Sequence, residues 1–211
     1  MEDVLAAYER PLDEKQPVVC VDEKPVQLLA DVREPIPARQ PGQIAKYDNE
    51  YERRGMANIF CAIEPKAGRH FTEVTPNRSG AEFAKMIKKV ADAYPEAETI
   101  HLVMDNLNTH TEKSLTDRYG VEKGKAVWDR FTVHYTPVHG SWLNQAEIEI
   151  SVMAGQCLGN RRLGSIDNLR REARAWNRRT NRAKLKINWK FDRRAARRKF
   201  KYRVCFKRSR T

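Results

Sequence analysis

Two short apolar runs, each closed by an aspartate, constrain this chain more than any other feature. "PVVCVDEKP" sets Val18 to Val21 between two prolines and ends on Asp22, and "TIHLVMD" (99 to 105) ends on Asp105. Neither run alternates apolar with polar residues, which is how a strand covered on both faces reads. If the two strands are neighbours, their carboxylates emerge together at one edge of a sheet, where a crossing helix can add a third.

The rest of the chain supplies the helices. Val26 to Ala30 reads as a second strand, followed by "REPIPARQPGQ", whose prolines and glycine mark an irregular loop. "MANIFCAIEP" and "HFTEVT" predict two strands joined by the turn "KAGR". Ser79 is placed to cap "GAEFAKMIKKVADAY", with Phe83, Ile87 and Val90 at helical spacing. After "NLNTH" come a short helix to about Tyr119, a charged helical insert "GVEKGKAVWDR" and a strand "FTVHYTP". Ser141 is the expected cap of the next helix, with Trp142, Ala146, Ile150, Met153 and Cys157 on one stripe, and a last helix runs from about Ile166 to Arg179. No internal repeat is found. The expected fold is α/β, a mixed sheet flanked by helices, built from one domain at 17–180, after a lead-in segment at 1–16 and before a basic C-terminal tail at 181–211.

Charge separates the tail from the body. Residues 161 to 211 hold 21 Lys and Arg against 3 Asp and Glu, whereas residues 1 to 160 carry a net charge of −6. With 40% hydrophobic residues the chain can still bury a core. Cys20, Cys61, Cys157 and Cys205 lie far apart with no C-x-x-C pair, a pattern of packed, reduced thiols in a cytosolic protein. No window approaches the ~20 apolar residues of a membrane span, and no signal peptide is readable.

Asp22, Asp105 and either Glu147 or Glu149 thus share one topological property. Gathered carboxylates are hard ligands suited to Mg²⁺ or Mn²⁺, and two such ions about 3.5 to 4 Å apart can activate an attacking oxygen and stabilise a leaving one at phosphorus. An aspartate after a strand also serves as a turn former or cap, a role that Asn106 and Asn108 would share beside Asp105. Glu147 and Glu149 flank the apolar stripe roughly 90° and 70° to either side, so helical geometry does not choose between them.

In order and context, "VDEKP", "DNLNTH" and "HGSWLNQAEIEIS" resemble the DDE-type transposases of bacterial insertion sequences, in the mariner-related superfamily (the six-thirty group). The resemblance runs from about Pro17 to near Lys190. It implies a ribonuclease H-like fold, two divalent metals, and DNA strand cleavage followed by strand transfer. It makes Asp22 and Asp105 the two catalytic aspartates and Glu147, after the Leu-Asn pair, the catalytic glutamate, with Glu149 as runner-up. The gap from Asp105 to Glu147 exceeds the typical mariner-like spacing, and "GVEKGKAVWDR" is a place for the excess. Relatives work as dimers on paired DNA ends and carry an N-terminal helix-turn-helix region, whereas this chain begins just before the catalytic domain. The implied location is the bacterial cytoplasm, at the nucleoid when bound to DNA.

Around the site, His110 either orients a phosphate or water or is a surface residue early in a helix, and His139 is similar. Asn106 reads as part of the strand-end turn, and Trp142 as a core anchor rather than a base-stacking platform. In the tail, Arg178, Arg179, Arg182, Arg193, Arg194, Arg197, Arg198 and Lys199 are candidate DNA contacts, interleaved with aromatics of which Trp176 is expected to pack. No G-x-x-x-x-G-K-[ST] or G-x-S-x-G occurs, so neither a nucleotide cofactor nor a serine hydrolase is expected. Two alternatives remain at this level: a truncated, non-catalytic DNA-binding fragment that interferes with full-length transposase, and another ribonuclease H-like nuclease.

Overall fold

Burial on both faces makes the Val18 run a strand. In the computed structural model, which describes residues 1–202, it lies at the centre of a five-stranded sheet. This strand, β1 (Val18–Asp31), is followed in sequence by β2 (Tyr51–Glu64), β3 (Arg69–Thr75), β4 (Ile100–Met104) and β5 (Phe131–Tyr135), in the spatial order β3-β2-β1-β4-β5. The β1–β2 and β2–β3 pairs are antiparallel, and the β1–β4 and β4–β5 pairs are parallel. Parallel neighbours need long crossovers. Helix α2 (Gly80–Asp92) precedes β4, and α3 (Glu112–Tyr119) and α4 (Val121–Trp128) precede β5. Cys205 and Phe206 lie outside the described residues.

One boundary differs from expectation. β1 does not stop at Asp22 but continues to Asp31, so Val26 to Ala30 belongs to the same strand. What ends near Asp22 is the parallel ladder with β4, whose last pair is Cys20 with Val103. Beyond it β1 has a single partner, and Pro25, opposite Asn58 of β2, is tolerated where no second neighbour needs its missing N–H.

Side chains alternate between two cores. On one face Val19, Val21, Leu102 and Met104 meet Phe83, Met86, Ile87 and Val90 of α2. The other face receives α1 (Glu2–Glu9), α5 (Ala146–Met153), α6 (Ile166–Ala183) and α7 (Arg193–Phe200). Each fully buried Leu, Ile or Phe contributes about 1.5–3 kcal/mol. The segment 1–16, expected as a lead-in, carries Val4 and Leu5 into this second core, and the Tyr8 hydroxyl donates to the Leu143 carbonyl at 2.7 Å. Trp176 packs there too, with Leu169 and Ala173. Cys20, Cys61 and Cys157 are buried and free.

Helix α6 closes the sheet at β3. The Asn181 side-chain oxygen accepts from the His70 N–H at 2.9 Å and its amide donates to the His70 carbonyl at 2.8 Å, as a further strand would. The β2–β3 turn approaches the end of α6 so closely that only glycine fits: Gly68 has φ +68°, and a Cβ there would lie 2.6 Å from the Lys184 carbonyl.

At the opposite side His101 of β4 meets His134 of β5 (Nδ1 to Nε2, 2.9 Å), and His134 Nδ1 meets Asp3 of α1 at 2.8 Å. Burial foremost, with Arg10 and His134 acting the same way and the negative charge of Asp3 opposing, lowers His101 from 6.5 to about 4. Below pH 6.5 the unfolded chain takes up a proton that the folded one refuses until about pH 4. Stability is therefore expected to fall as pH drops through that window. The loss should be about 1 kcal/mol rather than the roughly 3 kcal/mol of the full shift, because nearby solvent screens the pair. Denaturant titrations from pH 7 to 4 should show this slope, and His101→Asn should flatten it.

Candidate active site

The register of the parallel pair decides where the carboxylates go. Cys20 lies opposite Val103, and both face the core formed with Leu143 and Ala146. Two residues further along each strand, on that same face, stand Asp22 and Asp105. Extending the register sets one opposite the other.

Helix α5 brings the third acid. Its entry is a 3-10 turn, Ser141–Leu143, followed by a buried asparagine. The Asn144 side-chain amide donates to the Val21 carbonyl at 2.8 Å, and its oxygen accepts from the Ala146 N–H at 3.1 Å. One side chain thereby fixes the start of α5 to the residue preceding Asp22. Glu147 follows in the first turn, where the helix dipole favours a negative charge. Foremost by burial, the Asp22 carboxyl is pushed up to about 7; the charges of Glu23, Asp105 and Glu147 push the same way, against the Glu23 N–H that donates to it at 2.8 Å. Asp22 thus feels the charges of both Asp105 and Glu147.

Glu149 is directed elsewhere. Its Oε1 lies 2.6 Å from His70 Nδ1, with both side chains almost wholly buried, and His70 Nε2 lies 2.8 Å from the Leu185 carbonyl. A carbonyl can only accept, so Nε2 carries a hydrogen, and the contact with Glu149 needs a proton of its own. Through this partner Glu149 ties α5 to β3 and to the chain after α6.

His110 is buried, with its ring stacked on Phe83 at 4.5 Å between centroids. Nδ1 lies 2.6 Å from Asp105 Oδ1 and Nε2 lies 3.3 Å from Glu23 Oε2, distances for ion pairing, though the angles fall short of good hydrogen bonds. Burial alone would lower its pKa, but the two carboxylates outweigh it and raise His110 to about 9. A cation held against Asp105 orients that side chain. Nothing in the sequence marks Glu23 or Phe83 for this role, and Asn144 is signalled only by an asparagine just ahead of a helix. Asn106 and Asn108 are exposed at the end of β4, and His139 is exposed in the turn closed by the Gly140 N–H and the Pro137 carbonyl, with φ +59°.

Trp142 is not a core anchor. It precedes α5 instead of sitting on its stripe, because the helix is capped at Asn144 and Gln145 and not at Ser141, and 43% of it is exposed. Of the basic tail residues, Arg193 pairs with Glu9 at 2.6 Å and Arg197 with Glu2 at 2.7 Å, so these two dock α7 on α1 instead of standing free for DNA. Arg179 donates to Gln156 at 2.7 Å. Arg178, Arg182, Arg194, Arg198 and Lys199 are exposed and without ion pairs among the described residues.

The three carboxylates fit a divalent cation by donor chemistry: hard oxygens, with the charges of Asp105 and Glu147 acting on the mostly buried Asp22 in a way a cation would relieve. In their present rotamers no three His, Cys, Asp or Glu side chains among the described residues close around a point. No described helix is long and apolar enough to cross a membrane.

Comparison with known proteins agrees with this architecture. The Mos1 mariner paired-end complex with Mn superposes with a TM-score of 0.55 at 15% identity, covering 86% of this chain and 56% of that one. The Mos1 strand transfer complex gives 0.55 at 15% over 86% and 55%, and a pre-cleavage Mos1 transpososome gives 0.56 at 16% over 86% and 56%. The present chain thus spans little more than half of those proteins, and at such identity the likeness shows the fold, ribonuclease H-like as expected. No curated protein is a significant match. Residues 17–170 match the DDE superfamily endonuclease family, and over that span, which holds Asp22, Asp105 and Glu147, this chain belongs to it.

Proposed function

We propose that this chain is the catalytic domain of an insertion-sequence transposase, cutting DNA strands and transferring the freed 3′ ends to a target. The reading is supported by the parallel register of β1 on β4, which runs to Cys20 and Val103, two residues before Asp22 and Asp105, and by the effect of the Asp105 and Glu147 charges on Asp22. Asp22, Asp105 and Glu147 would hold two Mg²⁺ or Mn²⁺ ions, which when bound activate an attacking oxygen and stabilise the leaving one. One Mos1 structure is a complex with Mn, which supports that metal class. His110 holds Asp105 in place from the buried side, and Asn144 holds the start of α5 against β1. The exposed arginines of α6 and α7 are the proposed track for DNA phosphates. The division at 17–180 and 181–211, a homodimer on paired ends, and a place in the bacterial cytoplasm belong to the same proposal.

The test is metal-dependent nicking of supercoiled DNA by the purified chain. Nicking with Mg²⁺ or Mn²⁺ and none with EDTA is expected. No nicking with retained DNA binding would leave a DNA-binding protein without cutting activity. Affinity for a random duplex should fall steeply with salt, with a log–log slope of about −0.9 per phosphate contacted, and should lose roughly one such increment when Arg194 and Arg198 are each replaced by Ala. A flat salt response would remove the tail from the proposed interface.

A further inference from the structure

We infer that the cavity between α1, the end of β2 and the chain that follows α6 binds a small aromatic amine: a flat molecule of one or two rings that carries a positively charged nitrogen.

The cavity lies at the end of the sheet away from the carboxylates. Val18 of β1 and Glu64 of β2 line it, together with Leu12 after α1 and with Ile187 and Trp189 after α6. Asp22 stands four residues further along β1, about 13 Å away at the rise of an extended strand. The volume is about 210 Å³. An apolar cavity of about 150 Å³ holds benzene, so this one has room for a ring with a second ring or a short arm. Its aromatic walls are held in place. Tyr8 and Trp189 meet edge to face at 5.7 Å between centroids, and each polar tip is engaged, the Tyr8 hydroxyl by the Leu143 carbonyl and the Trp189 N–H by the Phe191 carbonyl.

Two groups in this apolar lining lack a partner of the kind they need. Gln145 is 2% exposed, and its Oε1 is buried without a hydrogen bond. A buried acceptor left unmade is costly, and an N–H brought into the cavity relieves it. Glu64 is also buried. Its Oε2 accepts from the Tyr94 hydroxyl at 2.8 Å, but no cation pairs with it among the described residues; burial foremost raises its pKa, and Arg69 opposes this only from a distance. Asp13 adds a second carboxylate to the lining, whereas the Lys66 ammonium is engaged by the Arg10 carbonyl. A hydrocarbon would leave both groups as they are, and an anion would meet two carboxylates. An aromatic amine matches the walls, the free acceptor and the charge together, and its cation is favoured further by nearby aromatic faces. Gln145 is the residue from which α5 starts, so an occupant bonded to it is attached to the helix that carries Glu147.

The experiment titrates the full chain with tryptamine, followed by calorimetry without DNA or metal, and repeats it with indole-3-acetate, which keeps the ring and reverses the charge. Tryptamine is expected to bind one site with a Kd on the order of 0.1 mM, roughly tenfold or more tighter than indole-3-acetate. Gln145→Leu, which replaces an unpaired buried amide by an apolar side chain, should weaken tryptamine about fivefold or more without lowering the melting temperature. Glu64→Gln should bring the two affinities to within about threefold of each other, a change of selectivity that a merely structural role would not produce. Leu12→Trp, at an exposed lining position, should fill the cavity and abolish binding. Melting curves identify any variant that fails to fold, and Leu12→Trp then carries the comparison. No binding of tryptamine at millimolar concentration, equal affinity for the two probes, or unchanged binding in Leu12→Trp overturns the site. Each of these results leaves the DNA-cutting reading untouched.

Discussion

Replacing any one of Asp22, Asp105 or Glu147 by its amide should lower metal-dependent nicking by about 10³-fold or more, while Asp22→Asn melts at or above the wild-type temperature and Asp105→Asn, which takes a partner from the buried His110 cation, melts below it. The size of the first effect follows from the donor count, since an amide supplies no negative charge to a divalent ion and each site has few ligands to lose. The direction of the second follows from the geometry of the apo site. The Asp22 carboxyl is mostly buried beside the charges of Glu23, Asp105 and Glu147, so its ionised form strains the fold and the amide relieves it. Rate and melting temperature measured on the same preparations separate a disabled site from an unfolded protein. A Glu147→Gln variant that nicks at the wild-type rate would displace Glu147 from the set.

The reverse behaviour is expected for Glu149 and His70. Truncating either to Ala leaves the other buried and unpaired, which should cost about 3 kcal/mol and lower the melting temperature by roughly 10 °C. Below the melting transition such variants should still nick, since neither side chain is directed at Asp22. A double variant, His70→Leu with Glu149→Met, should recover much of the lost stability, because an apolar pair of similar volume replaces a buried polar one. If Glu149→Ala were stable and inactive, the roles of the two glutamates would have to be exchanged.

The contrast between these two glutamates shows where sequence stops being informative. Strand burial, the order of elements and the three acidic motifs are legible because each depends on residues close together in the chain. Glu147 and Glu149 are separated by a contact with His70, a residue of a distant strand, and no local pattern reports it. Pro25 reads as the end of a strand because prolines usually are, and β1 continues through it only because its neighbour β4 has already ended. Trp142 reads as the first member of an apolar stripe, since Ser141 is an acceptable cap, but Asn144 caps three residues later and turns the indole outward. Glu23 escapes notice for a simpler reason. Alternation along β1 directs it to the face opposite Asp22, where it reaches His110, and a carboxylate beside a carboxylate looks redundant in a one-dimensional reading. The charge of the tail is legible as a total, but not its division between arginines that dock α7 on α1 and those that remain exposed.

The parallel pairing of β1 with β4 also bears on when, during synthesis, the acids of the proposed site can come together. β1, β2 and β3 pair with neighbours in chain order and can assemble as soon as residue 75 has left the ribosome. At that stage Asp22 stands alone. Its partner arrives with β4, only after the whole of α2 has been made, and the third acid arrives with α5, after two further helices and a strand. Because loop closure over such distances is slow and unfavourable until the intervening elements are in place, no early fragment holds two of the acids together for long. A ribosome stalled before residue 147 releases a chain with an incomplete set, and a proteolytic cut between β3 and β4 separates the members of a complete one. The proposed set is therefore complete only once β4, β5 and the start of α5 have joined the first three strands.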